Sequence, residues 1–285
     1  MAETLRLDGR VVVITGASAG VGAAAARRLT KLGATVAIVG RSPEKTAAVA
    51  EELGAQSFLA DFSNLDEVRR LAAELLARYP VIDILANNAG LQATKRSTTV
   101  DGHELTFQAN YLAPVLLTHL LAPALGTARV ISTASAAHSW AKLDLDDLNS
   151  ARGRFRSTNV YGRSKLGNVL FTQELALRAA GSGLTASSFH PGLVASDFFR
   201  NDGVFGLFGK VMINSPLGRW MAVSPDQGAA PLEHLATTPD AESVNGAYFH
   251  LLERQPPKGA QPHDPEFGRE LWERTVQILG VDPVW

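Results

Sequence analysis

The chain contains no cysteine, which excludes a disulfide framework, a thiolate metal site and a cysteine nucleophile. Net charge is nearly absent too: 27 Lys and Arg stand against 28 Asp and Glu, and 27 − 28 = −1. Without a lysine or arginine run the chain lacks the electrostatic footprint of a nucleic-acid binder or of adhesion to an anionic membrane. No apolar stretch reaches the roughly 18 residues of a spanning helix, and residues 1–10 hold no apolar core of a secretion signal. The seven histidines show no H-x-x-x-H spacing, so no metal is expected. These absences point to a cytoplasmic protein acting on a small molecule, with no nucleic-acid partner and no stable membrane insertion. A homo-oligomer is compatible with them.

What the sequence does hold is alternation. Short apolar, β-branched runs at 11–15, 35–39, 57–60, 82–86, 129–133, 185–190 and 246–250 are separated by segments of helical period. Uninterrupted apolar strands joined through helices predict an α/β fold: one doubly wound Rossmann domain, its parallel sheet of about seven strands covered by helices on both faces. No linker or repeat divides the 285 residues, so residues 1–285 are read as a single dinucleotide-binding catalytic domain. Two decorations are expected on it. An aromatic-rich segment around 193–225, with Phe198, Phe199, Phe205 and Phe208, suits a substrate lid or a packing surface. An extended tail is expected at 251–285, where residues 255–265 include four prolines.

In such a fold the ligand lies beyond the C-terminal ends of the strands. After the first strand, Thr15-Gly-Ala-Ser-Ala-Gly-Val-Gly22 carries glycines at 16, 20 and 22. That spacing between strand and helix brings backbone N–H groups and a helix N-terminus up to a pyrophosphate. The same residues satisfy G-x-S-x-G, the nucleophile elbow of a serine esterase, with Ser18 as nucleophile. Too little chain precedes the turn to supply that fold's oxyanion loop. The second strand ends in Arg41-Ser42, and no acid occurs from Leu29 to Pro43. An arginine here accommodates a 2′-phosphate, so NADP(H) is favoured, with NAD(H) possible. Asp61 is placed to meet the adenine, or equally to cap the helix beginning near Asn64. Further on, Tyr161 and Lys165 lie four apart in a helical segment and therefore share a face. The ammonium should lower the phenol's pKa and let Tyr161 trade a proton.

Taken in order, Thr15-Gly-x-x-x-Gly20-x-Gly22, Asp61, Asn87-Asn-Ala-Gly90, Asn110, Ser135, Tyr161, Lys165 and Pro191-Gly192 resemble the short-chain dehydrogenase/reductase family over roughly residues 8 to 250. Ser135-Ala-Ala-His138 and the text around Tyr161 resemble its retinol dehydrogenase-like branch. The resemblance implies that Ser135 bonds the substrate oxygen, Tyr161 exchanges its proton, and Lys165 holds the nicotinamide ribose. It implies that Asn110 holds a water reaching Lys165. It also places cofactor contacts at Gly16, Ser18, Ala19, Gly20, Val21, Gly22, Arg41, Ser42, Asp61, Phe62, Asn88, Ala89, Gly90, Tyr161, Lys165, Pro191, Gly192 and Val194. The implied partner is a small apolar alcohol or its ketone or aldehyde. Two departures stand out. Ser132 competes with Ser135 on spacing, and 26 residues separate Ser135 from Tyr161 (161 − 135), longer than the family's usual gap. The insert at 140–158 is expected to form a lobe at the rim of the site. The alternative readings are a nucleotide-binding regulator without turnover and the Ser18 esterase.

Overall fold

The computed structural model describes residues 5–194, 223–282 and 284–285. Eight strands form one sheet in the order β3-β2-β1-β4-β5-β6-β7-β8. They are β1 (Val11–Thr15), β2 (Thr35–Gly40), β3 (Gln56–Leu59), β4 (Ile84–Asn87), β5 (Arg129–Thr133), β6 (Thr185–His190), β7 (Tyr248–His250) and β8 (Glu253–Gln255). Every neighbouring pair is parallel except β7–β8. Val12 pairs with Val36 on one side and Ile84 on the other, so β1 is an interior strand. The chain winds outward from it in both directions, and the order reverses between β1 and β4. That reversal opens a crevice at the strands' C-terminal ends.

Among the described residues the α-helices are α1 (Gly20–Lys31), α2 (Pro43–Leu53), α3 (Leu65–Arg78), α4 (Leu105–Phe107), α5 (Ala113–Leu120), α6 (Ala122–Leu125), α7 (Ser157–Arg178), α8 (Pro225–Thr237) and α9 (Pro265–Leu279). They cover both faces of the sheet, producing two apolar layers. One layer joins Val13, Leu71, Leu116, Leu170 and Leu175. The other joins Val12, Ile14, Ala25, Leu29 and Leu232. Consecutive residues of β1 thus feed opposite layers, as pleating requires. A strand buried on both faces has to be apolar throughout, which is why 11–15 reads as an uninterrupted run.

Two expectations are corrected. The sheet has eight strands: three residues after β7 turn back to form an antiparallel edge, β8. Residues 251–285 are not an extended tail, because α9 occupies 15 of them. The four prolines all lie before the helix or at its first residue. Asp264 accepts hydrogen bonds from the N–H groups of Glu266 and Phe267, Pro265 occupies the first turn, and Gly280 closes the helix in the left-handed conformation. Its buried face carries Leu271, Trp272, Thr275 and Leu279. Trp272 stacks on Phe171 of α7 with centroids 5.5 Å apart, and Thr275 bonds the Tyr111 hydroxyl at 2.9 Å. The expected lid residues Phe198, Phe199, Phe205 and Phe208 lie outside the described residues.

Candidate active site

Beyond the strand ends lies a cleft of about 1110 Å³. The structure brings to its wall every site residue expected from the sequence except Asn110. The floor at the glycine turn is tied together by Thr15. Its hydroxyl donates to the Ala86 carbonyl and accepts from the N–H groups of Asn88 and Ala89, at 3.0 Å each. Asn88 in turn donates to the Thr15 carbonyl at 3.0 Å. A side chain at Gly22 would meet the Gly16 carbonyl and lie 2.6 Å from the Asn88 amide, so only glycine lets α1 begin this close to β4. Asn87 points away and bonds Thr118 at 3.0 Å.

The first turn of α1 differs from those of α2, α3 and α8, which are capped by Ser42, Asn64 and Ser224. Ala19 offers α1 no side-chain acceptor, and no acid lies in its first turn. Its N–H groups and the positive end of its dipole suit an anion. At the end of β2, Ser18, Arg41, Ser42 and Lys45 line one corner of the cleft. Lys45, four residues past Arg41, went unnoticed in the sequence and adds a second cation there. Asp61 does not cap α3, which is Asn64's role. It accepts from the N–H and hydroxyl of Ser63 and sits 3.8 Å from Arg41. Among the described residues no imidazole hydrogen-bonds Ser18, which leaves the esterase reading without its base. A pyrophosphate with an additional phosphate fits this set of donors.

At the other end stand Ser135, Tyr161 and Lys165. Ser132 is 2% exposed, is paired with Ser188 inside the sheet and does not line the cleft. Ser135 lies just past β5 and starts the 3₁₀ turn Ala136–Trp140. Gly162 allows the approach of α7, since a Cβ there would lie 2.8 Å from the Ala137 carbonyl. Lys165 donates to the Thr133 carbonyl at 2.8 Å, and its Nζ is 5.8 Å from the centroid of the Tyr161 ring. Asn168 donates to the same carbonyl at 3.3 Å.

Proton affinities at this end differ from the simplest reading of a tyrosine beside a lysine. Burial pushes the Tyr161 phenol up to about 12, opposed by a hydrogen bond from Ser135. Burial also brings Lys165 down to about 8. Desolvation disfavours the charged form of each group, and it outweighs the help that the sequence leads one to expect from the ammonium. Asn110 is buried behind the wall, in the π-helical turn Gln108–Leu112. Its side chain accepts from the N–H of Leu91 at 2.7 Å and donates to the Leu91 carbonyl at 2.8 Å and to Ser164 at 3.0 Å. Asn110 therefore clamps the loop after Gly90 to α7.

His190 at the end of β6 also lines the cleft. It lies 5.1 Å from the His250 ring and is pulled down to about 4 by burial, then by His250, His138 and Lys165. In the unfolded chain it regains its ordinary value near 6.5. The unfolded state then binds more protons between these values, so stability falls as pH drops from about 6.5 to about 4. Calorimetric scans should show Tm decreasing across that window. In His190→Phe the decrease should be shallower, and an unchanged slope would contradict the assignment.

The short chain dehydrogenase family model matches residues 10–203. Retinol dehydrogenase 13 of Homo sapiens is 32% identical over 286 residues, covering 97% of this chain and 86% of its own. Retinol dehydrogenase 12 of Mus musculus is 36% identical over 287 residues, covering 97% and 88%. A short chain dehydrogenase from Burkholderia cenocepacia J2315, solved in complex with NADP, superposes with a TM-score of 0.67 at 28% identity, covering 86% of this chain and 97% of that one. The chain belongs to the short-chain dehydrogenase/reductase family and is an alcohol/carbonyl oxidoreductase. Within it the chain falls in the retinol dehydrogenase-like branch. Among the described residues no helix is long and apolar enough to cross a membrane.

Proposed function

We propose that this protein uses NADP(H) to interconvert an apolar ketone or aldehyde and its alcohol, with Tyr161 as the general acid and base. The observation that carries the reading is one cleft with Ser135, Tyr161 and Lys165 at one end and the cations Arg41 and Lys45 at the other. Bound nicotinamide would supply or accept the hydride. The residues from Gly16 to Gly22 would hold the pyrophosphate, Arg41 and Lys45 the 2′-phosphate, and Asp61, Phe62 and Asn88 to Gly90 the adenosine side. Pro191, Gly192 and Val194 would border the nicotinamide. Ser135 would hold the substrate oxygen, and Lys165 the ribose.

A phenol at about 12 is protonated at neutral pH. In that form Tyr161 is ready to donate to a developing alkoxide in carbonyl reduction. Lys165, near 8, stays largely charged at pH 7. Its positive charge, 5.8 Å from the Tyr161 ring centroid, steadies the phenolate left when Tyr161 gives up its proton.

Among the described residues the substrate side carries no acidic side chain. Leu91, Ala136, Ala137, Trp140 and Thr158 line it, and Trp140 is 64% exposed, an uncommon position for a large aromatic side chain. Such a ring suits a flat apolar substrate. The test is NADPH consumption over a panel of acetone, decanal, acetophenone and all-trans-retinal. Turnover of the larger members is expected, and its complete absence across the panel would favour the regulator. In Trp140→Ala the KM for acetophenone and retinal should rise about tenfold or more, from the roughly 1.5–3 kcal/mol of a buried side chain. Acetone should be indifferent to the change, and Trp140→Phe should recover most of the loss. An equal KM change for acetone would remove Trp140 from the substrate wall.

A further inference from the structure

We infer that His138 is a positioning residue through which the proline-rich segment 256–263 holds the Ser135 turn in register with Tyr161. The inference rests on the reading of Ser135 and Tyr161 as the reacting pair. His138 is 2% exposed, and both its ring nitrogens are bonded. Nδ1 lies 2.6 Å from the Ser135 carbonyl oxygen, which can only accept, so Nδ1 carries the proton. Nε2 lies 3.1 Å from the backbone N–H of Lys258, which can only donate, so Nε2 accepts. A single neutral tautomer satisfies both bonds. The backbone N–H of His138 reaches the same Ser135 carbonyl at 3.1 Å, and the ring edge packs on Tyr248 at 4.8 Å.

A second clamp holds the other end of the turn. Gln261 accepts from the N–H of Leu143 and donates to its carbonyl, both at 2.9 Å. The segment that supplies both clamps is closed on itself, with His263 Nε2 2.8 Å from the Pro257 carbonyl. Its prolines fix much of its backbone. Two fastenings thus reach back 120 and 118 residues to a turn that leaves the sheet after the Ala134 N–H donates to the Phe189 carbonyl at 2.7 Å. Within the turn the Ser135 hydroxyl accepts a long bond from the N–H of Ala137, at 3.2 Å, beside its hydrogen bond with Tyr161. Without the fastenings at His138 and Gln261, the peptide after Ser135 could rotate and draw the hydroxyl out of its hydrogen bond with Tyr161. A misplacement of about 1 Å in a reacting group costs up to about 10²-fold in rate.

The test uses full-length variants with NADPH, and acetophenone and decanal as probes. His138→Asn puts an amide nitrogen where Nδ1 lies and retains the bond to Ser135. His138→Gln puts an amide oxygen near Nε2, so it retains the bond to Lys258 and loses Ser135. His138→Phe fills the space and loses both. The expected result is a kcat loss of about 10- to 10²-fold in the Gln and Phe variants, with most of the rate recovered in the Asn variant. The Kd for NADPH stays constant, and the solvent isotope effect on kcat grows in the Gln and Phe variants as proton transfer becomes slower. Gln261→Glu, which loses only the donor to Leu143, should raise hydrogen exchange at 136–143 and lower kcat by a smaller factor. That variant carries the test if the His138 variants do not fold. Wild-type rates in the Gln and Phe variants would overturn the inference. So would an Asn variant as damaged as Phe, or a lowered Tm with an unchanged isotope effect. In the Gln261→Glu arm, wild-type exchange at 136–143 together with a wild-type kcat would overturn it as well. A wild type that reduces neither probe nor any other panel member contradicts the proposed function itself, an outcome distinct from these.

Discussion

Replacing Tyr161 by phenylalanine lowers kcat by about 10² to 10⁴-fold and leaves NADPH affinity unchanged. The substitution removes one oxygen and keeps the ring, so the packing of α7 against the Ser135 turn survives. The only proton the account offers to the substrate oxygen is lost. Ser135 cannot replace it, because a serine hydroxyl hydrogen-bonds the oxygen but is far too weak an acid to protonate it. Lys165 donates to the Thr133 carbonyl at 2.8 Å, and its remaining N–H groups are assigned to the ribose rather than to the substrate oxygen. Initial rates with acetophenone and calorimetric titration with NADPH check the two halves separately. Turnover above a tenth of wild type would remove Tyr161 from its role.

The second large effect falls on cofactor choice. Combined Arg41→Ala and Lys45→Ala should lower kcat/KM for NADPH by about 10²-fold or more and change that for NADH by less than about threefold. A charge-assisted hydrogen bond contributes about 1.5–3 kcal/mol, roughly 10- to 150-fold each. Arg41 is 69% exposed, so solvent screening holds its share toward the lower end. Arg41→Ala alone also frees Asp61 from a cation 3.8 Å away, leaving a carboxylate that repels the 2′-phosphate. The single change should therefore already reverse part of the preference. A parallel fall for both cofactors, or a wild type that prefers NADH, would contradict the assignment.

Much of this molecule was legible in the chain because the informative patterns are short. The apolar runs had to be continuous because both faces of the sheet are covered, and their alternation with helices dictated the parallel order. Gly16 to Gly22 and Tyr161 to Lys165 are each confined to one turn, where spacing alone decides geometry. What was hidden depends on distance along the chain. Asn110 offers no sign that its amide will be spent on Leu91 and Ser164, nor does His138 announce a partner 120 residues away. Lys45 reads as an ordinary helix residue until the curvature of β2 into α2 brings it beside Arg41. The tail was misread because its four prolines suggested extension, although the last of them opens a helix whose buried face spans Leu271 to Leu279. The basicity of Tyr161 was misjudged for a related reason. A sequence gives the neighbouring charge but not the burial, and here burial is the larger influence.

The most direct measurement follows the hydride and the proton together. Carbonyl reduction is run with NADPH deuterated at the transferring position, on wild type and Tyr161→Phe, and the alcohol is analysed by mass spectrometry. The account predicts one deuterium on the carbinol carbon from the wild-type enzyme, a primary isotope effect on the rate, and a solvent isotope effect that disappears with the Tyr161 hydroxyl. Product without deuterium, or a Tyr161→Phe enzyme with both the wild-type rate and the wild-type solvent isotope effect, would contradict it.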